Sequence, residues 1–295
     1  MTGDISMRNL LITYTKTVCL SGLLLLTGCS DNNKDNAAKH QTIPFVNQDR
    51  FGRFDSIGNL GGKPVSIPSG VLYTEVSYIG ATENFDTSSI NKQPPITYQM
   101  PIKELDFDYR LTDGAVKSKN EQTDSDYKQD IKILIPKAKH FPWGYTNVYN
   151  LFSPNQPRTF NQWFNNILKS TKETWNFEYF KQANKIFGLT YYQANNGINP
   201  KTNQPWEDNI IGNDLYIYQD SNNDIKTLIL CDTVDQIKYC KHDFFIKNFP
   251  VKVSISYDRT YLKLWQQTEK NIAAILDSWV VTNDGKLIKK QAGKV

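Results

Sequence analysis

From about Phe51 to Val281, apolar and aromatic residues alternate with polar ones over short stretches, as they do in half-buried antiparallel strands. The alternation predicts strands over 64–67, 71–78, 96–100, 104–110, 130–135, 146–150, 177–180, 187–193, 214–219, 226–231, 243–246 and 251–257. The breaks between them are rich in Asn, Asp, Gly and Pro, and Asp220 to Asp224 reads as a polar tip between two strands. Two stretches have helical spacing instead. Phe160, Trp163, Phe164, Ile167, Leu168 and Thr171 recur every three or four residues behind Thr159-x-x-Gln162, the form of a capping box. Tyr261, Leu264, Trp265, Thr268, Ile272, Ile275, Leu276 and Trp279 do the same behind Asp258, a good N-cap residue. Both stripes fit core faces better than a cofactor or partner box.

Strands followed by a helix occur twice, over 64–150 with the first helix and over 177–257 with the second. The expectation is an α+β fold of two tandem halves, 51–172 and 173–281, followed by a tail at 282–295. Each half is a mainly antiparallel β-sheet with one helix packed on a face. A single larger sheet accommodates the same order of elements.

The N-terminus follows another logic. Arg8 and Lys16 flank an apolar segment, Thr17 to Leu26, of signal-peptide length, and Leu26-Thr27-Gly28-Cys29 resembles a bacterial lipobox. The segment is shorter than the roughly 20 apolar residues that span a bilayer. Residues 1–28 are therefore expected to be a lipoprotein signal peptide, cleaved so that Cys29 becomes the first residue. Cys29 would carry a diacylglyceryl thioether and an acylated amine, palmitate being the kind of chain expected, and two or more chains give stable anchoring. Residues 29–50 are polar, contain His40, and read as a flexible tether. Asp31, and not Ser30, is the first acidic residue after Cys29, so the inner-membrane retention pattern is not met. The expected location is the outer membrane, lipid-anchored and facing the periplasm.

Charge and cysteines sharpen this reading. The chain has 34 basic and 30 acidic residues. The scattered lysines form no basic stripe, which argues against a nucleic-acid partner. Apart from Cys19 and Cys29, the chain has only Cys231 and Cys240, for which a disulfide is the default in an oxidising compartment. A redox pair would usually be Cys-x-x-Cys, and a zinc site would need ligands from elsewhere beside His242.

Catalytic chemistry is thinly represented. His140 and His242 lie in no catalytic signature, and there is no Gly-x-Ser-x-Gly elbow. Glu104, Asp106 and Asp108 alternate on one strand face, the mark of a solvated face more often than of a paired-carboxylate hydrolase. Asp220-x-Asn222-x-Asp224 opens like a calcium loop but has Ile225 at the sixth position and Cys231 at the twelfth. Gly58 to Gly62 lacks phosphate-binding spacing and reads as a tight turn. The expectation is no enzyme, no cofactor and no metal, with a hydrolase using Asp106, Asp108 or His140 the least favoured reading.

Gly58-Asn-Leu-Gly-Gly-Lys-Pro-Val-Ser-Ile-Pro68, Gly188-Leu-Thr-Tyr, Thr202-Asn-Gln-Pro205, Asp214-Leu-Tyr-Ile-Tyr, Cys231 and Cys240-Lys-His together resemble a family of lipoproteins found beside type VI secretion effector genes. Several are regarded as immunity proteins against antibacterial lipases. The resemblance spans most of residues 57–281 and implies a periplasm-facing protein that binds and neutralises a secreted antibacterial effector, a phospholipase being the effector class implied. A tether of about 20 residues would give the anchored domain a reach of about 25 Å. Tyrosine-rich stretches suit recognition, and Tyr191, Tyr192, Trp206, Trp143 and Tyr145 are the candidate contacts. The alternative is a structural envelope lipoprotein scaffolding an outer-membrane complex.

Overall fold

The computed structural model of the chain describes residues 46–49, 52–80, 95–117, 142–152, 159–175, 178–195, 198–205, 213–232 and 239–286. The expectations for the signal peptide, Cys29, the strand at 130–135, His140 and Trp206 lie outside them. Thirteen strands are described: β1 (Ser56–Leu60), β2 (Lys63–Ile67), β3 (Ser77–Tyr78), β4 (Ile102–Arg110), β5 (Trp143–Asn150), β6 (Tyr179–Lys181), β7 (Thr190–Ala194), β8 (Ile198–Asn199), β9 (Gln204–Pro205), β10 (Asp214–Gln219), β11 (Ile225–Cys231), β12 (Tyr239–Phe245) and β13 (Val251–Asp258). Helix α1 is Asn161–Trp175, and α2, Trp265–Ser278, follows a 3-10 segment, Arg259–Leu264. None of the described helices is long and apolar enough to cross a membrane.

Nine strands form one antiparallel sheet in the order β3-β4-β5-β13-β12-β11-β10-β7-β6, with β1-β2 and β8-β9 as separate two-stranded ribbons. The fold is α+β and antiparallel, as the alternation predicts. The two runs of strands share this sheet instead of carrying one each, because β5 pairs with β13 along its length, from Tyr145↔Ser256 to Asn150↔Val251. All described residues belong to one compact unit, 43–295.

The helices cross over in the same way. Consecutive strand residues point to opposite faces, so Tyr216 and Ile229 lie on one face of the sheet while Leu215 and Leu228 lie on the other. The first face, with Phe107, Tyr109, Val253 and Ile255, packs with Trp265, Ile272 and Leu276 of α2. Trp279 meets Phe107 edge-on at 5.4 Å. The second face packs Leu215, Ile217 and Leu228 against Phe160 and Phe164 of the α1 region. Thus the helix that follows the first run of strands covers strands of the second run, and α2 reaches back over β4. Burying side chains such as Phe160, Ile272 and Leu276 stabilises by about 1.5–3 kcal/mol each.

Local chemistry explains where boundaries moved. The first helical hydrogen bond of α1 runs from Phe164 N to Phe160 O, which puts the cap at Phe160, one residue after Thr159. Asn161 ties this end down instead, its amide accepting from Ile225 N (2.7 Å) and donating to Asn223 O (3.3 Å). Asp258 does cap, accepting from Thr260 N at 2.8 Å, but the turns it opens are 3-10 before α2 begins. The Gly58–Gly62 turn is corrected: Gly58 and Asn59 lie within β1, and only Gly61 and Gly62, with φ of 57° and 84°, form the turn. Gly58 passes so close to Ile102 that a Cβ there would sit 2.6 Å from its Cγ1. Within 71–78 only Ser77–Tyr78 pairs as a strand, since Asp106 draws the chain off the ladder through Thr74. Residues 96–100 form no strand and end in a turn. Residues 46–49, assigned to the end of the tether, are tied to the domain by a Gln48↔Phe54 bridge and the Asp49–Arg53 ion pair.

Candidate partner-binding surface

On the face of the sheet that α1 covers at one end, β4 and β5 carry a different set of side chains. Their register sets Glu104 opposite Tyr149, Asp106 opposite Asn147, Asp108 opposite Tyr145 and Arg110 opposite Trp143. The three carboxylates of β4 share one face, as the alternation predicts, yet the middle one is not solvated. Asp106 is 5% exposed. Its Oδ1 accepts from Thr74 N (2.8 Å) and Thr74 Oγ1 (3.0 Å), and its Oδ2 accepts from Tyr145 Oη (2.5 Å). Asp108 lies 3.9 Å from Lys117. Burial, together with the neighbouring Asp106 charge and against the pull of Lys117, holds the Asp108 carboxyl above the usual range.

Two large rings project from this frame. Tyr145 is 40% exposed and Tyr73 is 62% exposed, and they meet edge to face at 5.9 Å. Partial burial and the bond to Asp106 raise the Tyr145 pKa, so it stays a phenol and a donor. Trp143, half-buried on the same strand face, has the Arg110 guanidinium 5.1 Å and the Lys117 ammonium 5.6 Å from its ring centre. A cleft of about 430 Å³ lies beside Tyr73, lined also by Arg53, Phe54, Ser69, Leu72 and Glu75. Trp143 and Tyr145 are thus brought together on a face of the domain. Tyr73 is not among the sequence candidates, because an aromatic in an alternating run carries no sign of which face it will take.

The other candidates are placed differently. Tyr191 stacks on Tyr216 at 4.9 Å and donates to Asp214 Oδ1 at 2.9 Å. Burial, then the Asp214 charge, drives its pKa up. Arg259 donates to Asp214 Oδ2 and to Tyr216 Oη, closing a cluster of four side chains. Tyr192 points to the opposite face and packs edge-on to Phe164 of α1 at 5.1 Å. Cys231 and Cys240 face each other across β11 and β12 and are joined by a disulfide.

The remaining polar motifs do internal work. His242 is fully buried, with Nε2 3.0 Å from Glu269 Oε1 and Nδ1 3.1 Å from Tyr257 Oη, and Thr227 Oγ1 donates to the same Glu269 oxygen at 2.7 Å. In the Asp220 loop, Lys226 Nζ sits 2.9 Å from Asp224 and 3.4 Å from Asp220, so a side-chain cation occupies the middle of the calcium-like string. Among the described residues no cluster of three His, Cys, Asp or Glu side chains could hold a metal ion.

No protein family and no curated protein matches the chain. Among solved structures, the immunity protein Smlt3025 of the Stenotrophomonas maltophilia type IV secretion system overlaps it with a TM-score of 0.49 at 12% identity, over 81% of this chain and 99% of that chain.

Proposed function

We propose that this chain is a lipid-anchored protein of the outer membrane's periplasmic face that neutralises a secreted antibacterial effector by binding it. The observation that carries this reading is the rigid aromatic surface of Tyr73, Trp143 and Tyr145 on a domain whose N-terminus resembles a lipoprotein signal. Aromatic rings supply contact area at low conformational-entropy cost, and the hydrogen bonds of Asp106 reduce that cost further by fixing Tyr145 and the neighbouring Thr74 before a partner arrives. The finer reading is that the effector is delivered by type VI secretion and attacks envelope phospholipids, which matches an inhibitor anchored beside those lipids. It acts by occupying a surface of the effector, without turnover.

The decisive experiment produces the neighbouring gene's product in the periplasm of cells with and without this protein. Death of cells that lack it, rescue by the intact chain, and co-purification of the two proteins are the expected results. Survival of cells without it would sink the immunity reading. Mass spectrometry of the N-terminus tests the anchor separately, an acylated Cys29 being expected and an intact Met1 contradicting it.

A further inference from the structure

Resting on that reading, we infer that the effector docks on the β4–β5 face and lays a cationic segment there, an arginine or lysine side chain entering between the Tyr73–Tyr145 pair and the carboxylates of β4.

The argument starts from unbalanced charge. Glu104, Asp106 and Asp108 stand in one column. The hydrogen bonds that Asp106 accepts come from Thr74 and Tyr145, which are neutral. Glu104 has no hydrogen-bond or ion-pair partner among the described residues, and Asp108 has Lys117 only at 3.9 Å. Across the strand, Tyr145, Asn147 and Tyr149 carry no charge. Lys252, over the Tyr149 ring at 4.5 Å, marks the far border. Three carboxylates face Lys117 and, at the border, Lys252, while Arg110 is engaged by Asp113; the patch keeps a net negative charge that attracts a cation and disfavours an anionic membrane surface.

The second argument is what the neighbouring ring already does. Trp143 takes Arg110 and Lys117 against its face, so this surface stacks cations on aromatics within the chain itself. Tyr145 and Tyr73 repeat that chemistry one step further along, with more of each ring exposed. A guanidinium laid on Tyr145 would combine a cation–π contact with a charge-assisted bond to Asp108, a pairing that suits arginine best. Burying Asp106 to hold these rings is costly unless it is hydrogen-bonded, and it positions an exposed pair.

The test uses the full-length anchored chain in cells producing the neighbouring gene's product in the periplasm. A photo-crosslinking residue replaces Tyr73 or, for comparison, Phe152 or Phe187, which are 59% and 54% exposed and lie outside the β4–β5 patch. A crosslink to that product from position 73 and from neither other position is expected. In binding assays with purified proteins, Tyr73→Ala should weaken affinity about 30-fold, as for a central aromatic contact. Glu104→Gln with Asp108→Asn should weaken it about tenfold and flatten its salt dependence, and Glu104→Gln alone serves if the double variant does not fold. Crosslinking from 152 or 187 but not 73 overturns the site and leaves the immunity reading intact. Crosslinking from 73 with affinity and salt dependence unchanged in the carboxylate variants overturns the cationic segment. Tyr73→Ala that abolishes binding to phosphatidylethanolamine–phosphatidylglycerol vesicles while effector affinity stays unchanged reassigns the surface to lipid and overturns the proposal. No crosslink at any position, with survival independent of this protein, overturns proposal and reading together.

Discussion

Tyr191 and Tyr192 in β7 and Trp143 and Tyr145 in β5 are the same kinds of side chain in the same kind of element, yet they do opposite things. In β7 both tyrosines are consumed by packing, one stacked on Tyr216 over the buried Asp214, the other wedged against Phe164. In β5 the alternate positions Trp143 and Tyr145 fall together on one face, and Tyr145 is held by its hydroxyl while its ring stays exposed. For Tyr191 the difference is the Asp214–Arg259 cluster on its face, and for Tyr192 it is what crosses above. Helix α1 covers β10 and β11 beside β7, whereas at β4 and β5 the loop carrying Tyr73 and Thr74 is pinned alongside by Asp106. A buried aspartate anchors tyrosine in both regions. At Asp214 an arginine balances its charge and the cluster stabilises the fold; at Asp106 the donors are neutral and the rings face outward.

That contrast can be broken at the Asp214 end with the largest effect. Arg259→Ala strands the Asp214 carboxylate beneath Tyr191 and Tyr216, and unfolding in urea should show a loss of about 3–5 kcal/mol. A loss under 1 kcal/mol would mean the ion pair does not hold this end together. Next in size is the disulfide, whose Cys231 lies directly across from Asp214. Replacing both cysteines by alanine should cost about 2–3 kcal/mol, because the bridge closes a short loop of the unfolded chain. An unchanged melting temperature would contradict this.

Smaller and opposite in sign is the effect expected at Asp243, which shares a register row with Asp106 through Asn147 and Ser254. It is fully buried, and no donor sits in good hydrogen-bond geometry to either carboxylate oxygen, the Ser254 hydroxyl opposite being the polar group beside it. Burial holds its pKa above 3.8, with Lys241, Lys252 and the Ser254 hydroxyl pulling the other way. For a carboxyl raised in the folded state, folding takes up a proton between the unfolded value and the raised one, so stability falls as pH climbs through that window. Asp243→Asn should therefore stabilise near neutral pH by on the order of 1 kcal/mol, and the gain should shrink as pH approaches 3.8. A gain that grows on acidification would reverse the argument. The smallest effect on stability belongs to Tyr73→Ala, within about 0.5 kcal/mol because most of the ring is exposed. A loss of several kcal/mol would make Tyr73 a packing residue like Tyr191.

Period-two alternation located β2, β4, β5, β10, β11 and β13, and in β5, β11 and β13 it reflects one face that is buried from end to end. It passed over β1, where Gly58 and Asn59 have low strand preference and the strand is set by its antiparallel pairing with β2. It also drew one strand through 71–78, where the side chain of Asp106, distant in sequence, takes the Thr74 amide that a ladder would have used. Of the candidate contacts, Trp143 and Tyr145 were legible as aromatics, but Tyr73 was not separable from its alternating neighbours. Trp206 lies outside the described residues.

From the order of its residues alone, this chain declares a lipobox-like N-terminus, antiparallel strands, two amphipathic helices and a paired set of cysteines. These are local or periodic properties, set by side-chain polarity repeating at two or 3.6 residues. The tertiary structure decided that the strands share one sheet, that α1 covers strands of the second run while α2 spans both runs, and that Tyr145 of β5 keeps its ring exposed while the tyrosines of β7 pack on Tyr216 and Phe164. Those outcomes depend on pairings between distant segments, β5 with β13 and Asp106 with Thr74 and Tyr145, for which no periodicity along the chain carries a signal.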